Sequence, residues 1–134
     1  MKKYILLLIV PFLSFGQTNY TINNNTNPSD GNIFLKTVGQ GGNKPVMILD
    51  KSGEVLFSEN MGMKGWAWTV NENNHLTYFD RNSFGWFVMD SLNNVVDSVY
   101  AQNGYTADNH DFLALPNGNY ILFCYDNQFA WSPF

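Results

Sequence analysis

Four consecutive polar residues, Asp108, Asn109, His110 and Asp111, stand directly before an apolar run and a turn in "TADNHDFLALPNGNYILFCYD", Thr106 to Asp126. An imidazole flanked by carboxylates can donate to an anion, move a proton near neutral pH, or attack as a nucleophile. Asp108 or Asp111 could hold its tautomer, as the aspartate does in a Ser-His-Asp triad. The same residue types also tie strand corners together by hydrogen bonds and do no chemistry. The residues alone leave both roles open.

Other reactive side chains are sparse. His75 follows "NENN" and reads as a surface histidine at a turn flank. It lies far from His110, and no Cys/His spacing matches a zinc set, so no metal is expected. The single cysteine, Cys124, has no intramolecular disulfide partner, and the alternation of "YILFCYD" makes it a small buried hydrophobe. Arg81 is the only arginine, a poor anion clamp by itself. Trp66, Trp68, Trp86 and Trp131 could stack on a sugar or arene, but flat side chains of this size are expected first as packing between sheets.

The elements that must position these residues read as β-strands. Charged residues make up 13% of the 134 and aromatics 16%, a composition that favours sheet over helix and excludes disorder. From Ile33 onward short apolar runs follow one another: "IFLKTV", "PVMILD", "GEVLFSE", "WAWTV", "HLTYFD", "GWFVMD", "NVVDSVY", "DFLAL" and "NYILFCYD". Turn-forming spacers separate them, with no helical period between, which predicts an all-β fold. In "LPNGNYIL", Pro116 sets φ and Asn117–Gly118 predicts a type I′ hairpin turn.

Two stretches repeat. "VMILDKSGEVL" aligns with "WFVMDSLNNVV" at an offset of 40, and "WTVNENNHLTYF" aligns with "FLALPNGNYILF" at an offset of 44. Each unit reads as strand, tight turn, strand, longer link, strand, tight turn, strand. A four-stranded unit at this period predicts β-propeller blades; a sandwich of two similar sheets is the alternative. Residues 33–134 would hold about two four-stranded blades of an incomplete propeller. Too few blades are present to close a ring, and the chain stops within an aromatic run, so it is expected to be a piece of a longer protein. Self-association through exposed blade faces is the other way to cover them.

The first 16 residues read as a bacterial signal peptide: Lys2 and Lys3, the apolar run Tyr4 to Leu13, then Ser14 and Gly16 before Gln17. Residues 17–32 form a polar, Asn-rich, flexible lead-in. The protein is thus expected to be exported, periplasmic or secreted. Losing Lys2 and Lys3 takes the formal charge from −4 to −6, and no basic stripe remains, so nucleic acid is not an expected partner. No later segment is long enough to span a membrane.

The segment "TADNHDFLALPNGNYILFCYD" resembles the His-Asp-Phe…Leu-Pro-Asn-Gly-Asn segment of bacterial arylsulfate sulfotransferases, and "GWFVMDSLNNVVDSVYAQNGY" before it fits the same family. The resemblance covers about Pro45 to Phe134. It implies a six-bladed propeller outside the cytoplasm that moves a sulfuryl group from a phenolic sulfate ester to a phenol, with no cofactor and through a sulfated histidine. His110 maps onto a motif histidine that contacts sulfate, with Asn109 and Asp111 beside it as substrate-binding residues. The nucleophilic histidine of the family would lie beyond residue 134, so no catalytic residue is assigned and no turnover is expected of this chain. A secreted, non-catalytic binding or adhesion module is the alternative.

Overall fold

A computed structural model describes residues 20–38 and 44–126. The expected signal peptide, Gly39 to Asn43, Trp131 and the rest of the last eight residues lie outside them. Every described element is a strand: β1 (Ile33–Lys36), β2 (Pro45–Leu49), β3 (Val55–Asn60), β4 (Trp66–Val70), β5 (Leu76–Asp80), β6 (Gly85–Met89), β7 (Val95–Tyr100), β8 (Thr106–Ala114) and β9 (Tyr120–Tyr125). They pair into three antiparallel sheets, β1-β2-β3, β4-β5-β6-β7 and β8-β9. Among the described residues no helix is long and apolar enough to cross a membrane.

The expected grouping of β2–β5 and β6–β9 as four-stranded units is therefore not the hydrogen-bonded one. The links decide this. Between β5 and β6 the chain reverses tightly: Phe84 N–H donates to Asp80 O at 2.8 Å with Phe84 at φ 55°, and the Asp80 carboxylate accepts from Asn82 N–H and Ser83 Oγ–H. That turn joins β5 and β6 as a hairpin. The β3–β4 link carries Gly62 and Gly65 at positive φ, and the β7–β8 link carries Asn103 and Gly104. Both carry the chain into the next sheet.

Four hairpins share one turn. The N–H and C=O of Asp50 and Glu54, Asn71 and His75, Asp90 and Asn94, and Leu115 and Asn119 close it, with Gly53, Asn74, Asn93 and Gly118 in the left-handed region. "LPNGN" is one of these, so it is a type I turn followed by a left-handed bulge residue and not the expected type I′ turn. Gly118 N–H bonds Leu115 O, which makes Pro116 the second turn residue; its ring-locked negative φ suits type I there, and only Gly118 has positive φ. At Asp50 and Asp90 the carboxylate also caps the turn, Oδ1 accepting from the backbone N–H groups two and four residues on.

The two central strands of the middle sheet, β5 and β6, are buried on both faces. Toward the first sheet, Trp68, Leu76, Tyr78 and Met89 pack against Val46 and Ile48. Toward the third, Phe79, Trp86 and Val88 pack against Ala107, Phe112 and Ala114. β5 (LTYFD) and β6 (GWFVM) show no alternation of apolar and polar residues, as double-sided burial demands. Thr77 is fully buried in this layer and is satisfied by Asn71 Nδ2–H at 2.8 Å, while Asn71 Oδ1 accepts from Ala114 N–H at 2.8 Å. One amide thus fastens the middle sheet to the third. Gly85 lacks a side chain because a Cβ there would run into the Tyr100 ring.

The described part of the lead-in, residues 20–32, contributes no strand. It lies along the Lys51–Gly53 turn: Tyr20 Oη–H donates to Gly53 O, Asn25 Nδ2–H to Lys51 O and Ser52 O, and Lys51 pairs with Asp30 at 2.8 Å. Cys124, expected to be buried, is exposed, because nothing among the described residues lies beyond the β9 edge to cover it.

Candidate functional site

β8 is longer than the sequence suggests, running from Thr106 and carrying the polar cluster inside it. It pairs with β9 at Ala107↔Cys124 and again at Phe112↔Leu122. Asp108, Asn109, His110 and Asp111 therefore stand opposite the one residue Phe123. This is an extended bulge, a device that re-aims side chains next to functional sites.

Asp108 organises the bulge. It is buried, and its Oδ1 accepts from the His110 backbone N–H at 2.6 Å and meets the His110 ring Nδ1 at 2.7 Å. The first bond is an Asx turn, the second an imidazole–carboxylate pair. The Tyr125 hydroxyl beside Asp108 holds the carboxyl below the usual carboxylate range, and the two His110 N–H groups add to that. The same contact raises the Tyr125 phenol. An ionised carboxylate only accepts, so Nδ1 carries the proton and Nε2 is the free nitrogen. The His110 side chain is 78% exposed and that of Asp108 11%. The core anchors the bulge from below: Trp86 Nε1–H donates to Asp108 O at 3.0 Å, while its ring stacks on Phe112 at 4.8 Å.

Of the three residues singled out in the sequence, His110 projects from the bulge and Asn109 is half-buried in it. Asp111 is exposed and lines a separate 250 Å³ cleft with Thr69, Asn71, Glu72 and Leu113. Asp108, not Asp111, is the partner of the imidazole. Sequence reasoning left the imidazole's partner open between Asp108 and Asp111, and it did not assign Trp86 or Tyr125 to the site. The Asp-x-His spacing is a signal for Asp108, being that of an Asx turn. Trp86 and Tyr125 depend on sheet pairing and carry no local signal.

β4, the first strand of the middle sheet, is bulged as well: Ala67 and Trp68 stand opposite Tyr78, and Ala67 has φ 50°. Trp66 beside them lies under Arg81, 4.5 Å from the guanidinium carbon to the ring centroid, and 5.5 Å from Lys36 Nζ. His75 sits in the β4–β5 turn, its Nδ1 3.2 Å from Asn73 O. No family model, no curated protein and no solved structure matches this chain.

Proposed function

We propose that this chain forms part of an exported β-propeller similar to the arylsulfate sulfotransferases, and that the β8 bulge presents His110 to the sulfate group of a phenolic ester. The observation that carries this reading is the Asp108–His110 pair. A sulfate ester offers only acceptor oxygens, so its site needs hydrogen-bond donors. A histidine held at Nδ1 by Asp108 and exposed in the bulge supplies that donor through Nε2–H in its imidazolium form, whereas in the neutral form Nε2 only accepts.

Blade architecture is supported by the double-sided burial of β5 and β6 and by the matching turns at Asp50 and Asp90, 40 residues apart. It is supported also by a mismatch. Phe79 is 2% exposed under the third sheet, whereas Phe123, its aligned counterpart 44 residues on, is 62% exposed. A further sheet would cover Phe123 as β8–β9 covers Phe79. In this 134-residue chain binding without turnover is expected, since among the described residues His75 is the only other histidine and is held in its own turn.

Titrating 4-nitrophenyl sulfate while following the His110 ring resonances tests the reading. A saturable shift, lost with Asp108→Ala, with no nitrophenol released, is expected. An unmoved His110 overturns the sulfate site, and nitrophenol release overturns the expectation of inactivity. A second reading, a non-catalytic adhesion module, is favoured by the exposed Leu113, Ile121, Phe123 and Tyr125 on β8–β9; it predicts capture of a macromolecule with His110 dispensable.

A further inference from the structure

A cleft roomier than the one beside Asp111 lies away from His110. It occupies 340 Å³ between the first and middle sheets, at the end where the β4–β5 and β6–β7 turns lie. Phe34, Leu56, Phe57 and Val70 supply apolar walls, and Asn74, Asp90 and Asn93 supply a polar rim. The volume is at the lower end of the range for small-ligand sites, which pair apolar walls with a few placed polar groups.

Two features of the walls are not required by packing. Leu56 is 58% exposed because it is the extra residue of a bulge: Ile48 pairs with Phe57 and Leu49 with Val55, leaving Leu56 between. Val70 is exposed at the end of β4. Both leave apolar surface in a concave place, where a ligand would shield it from water.

The rim decides the charge of the ligand. Asp90 is the only ionisable side chain lining the cleft; no lysine, arginine or histidine among the described residues does so. Its Oδ1 is taken by the N–H groups of Leu92 and Asn94, both at 2.9 Å, but Oδ2 meets only Asn94 Nδ2 at 3.3 Å. The backbone N–H of Asn94 leads the contacts that hold this carboxyl below its usual range, with His75 adding a smaller attraction. Asp90 is thus anionic at neutral pH, with spare acceptor capacity on one oxygen. An anion would meet it unfavourably, whereas an ammonium group gains a charge-assisted hydrogen bond beside two aromatic walls.

We propose that this cleft binds a small organic ammonium ion, its apolar part between Phe34 and Phe57 and its cationic head at Asp90. The site is independent of His110 and of the sulfotransferase reading. The test follows the Leu56 and Val70 methyl resonances of the full chain while 2-phenylethylammonium, 2-phenylethanol or phenylacetate is added. Saturable shifts with the amine are expected, with weaker ones for the alcohol and none for phenylacetate. Asp90→Asn keeps an oxygen to cap the turn and is expected to weaken the amine about tenfold, a loss of about 1.4 kcal/mol, with the alcohol unchanged. Leu56→Ser removes exposed wall without touching the core and is expected to weaken both. The proposal is overturned if phenylacetate binds as well as the amine, if Asp90→Asn binds the amine unchanged, or if the methyls stay still at about 10 mM amine, beyond which an affinity would carry little meaning. Should Asp90→Asn fail to fold, the three-ligand ranking and Leu56→Ser still decide.

Discussion

The bulges of β4 and β8 interrupt strands in corresponding places and are stabilised by opposite means. In β4 one extra residue is absorbed by Ala67 in the left-handed region, and the strand is covered by aromatic rings and the Arg81–Trp66 contact. The Nε1 atoms of Trp66 and Trp68 are buried with no acceptor among the described residues. In β8 four residues face one, too many for a single left-handed residue to absorb. Their polar groups are met by an internal network, with Asp108 bonding His110 forward and Trp86 bonding Asp108 from the core. A small bulge can be closed with apolar cover. A large one frees backbone groups that must find partners, and the side chains that supply them become oriented by doing so.

The largest expected effect comes from removing the post under the β8 bulge. Trp86→Ala should destabilise the chain by about 3–5 kcal/mol in denaturant unfolding, since it empties a fully buried site and strands the Asp108 carbonyl. A loss under 1 kcal/mol would show that the bulge does not lean on the core. Much of the fold was readable without such tests. All nine strands fall on the apolar runs, because sheet burial writes itself into the sequence as local runs of branched and aromatic residues. The front half of β8 did not, because Asp and Asn have low strand propensity and residues Asp108 to Asp111 have no ladder partner on β9.

A smaller effect separates geometry from charge at Asp108. Asp108→Ala should cost about 1–2 kcal/mol by unbonding the His110 N–H, while Asp108→Asn should retain the Asx turn. The Asp108 carboxyl is depressed in the folded protein, so its contribution is full above the ordinary carboxylate value of 3.8 and is lost as pH falls through the lower folded value. Unfolding at pH 6 and pH 3 should therefore show a smaller acid loss for Asp108→Asn than for the native chain. Equal losses would place the acid sensitivity at Asp50, Asp90 or Asp97, whose carboxyls are also depressed.

The smallest effect belongs to β4 and should have the opposite sign. Ala67→Gly relieves a left-handed alanine and is expected to stabilise by about 0.5 kcal/mol after the added entropy of the unfolded chain is counted. A clear destabilisation would mean that the alanine methyl packs usefully and that the two bulges differ less than described.

The strand positions, the turns at Asp50, Asn71, Asp90 and Leu115, and the marking of Asp108–Asp111 as an unusual place all follow from residues within a few positions of one another. Local sequence can specify these because propensity, capping and apolar pattern act over short range. Which strands share a sheet, which aspartate meets His110, why Trp86 belongs to the site, and why Cys124 is exposed are long-range matters. They depend on hydrogen-bond register between strands and on which faces find a neighbour, and those were decided only when the three sheets packed.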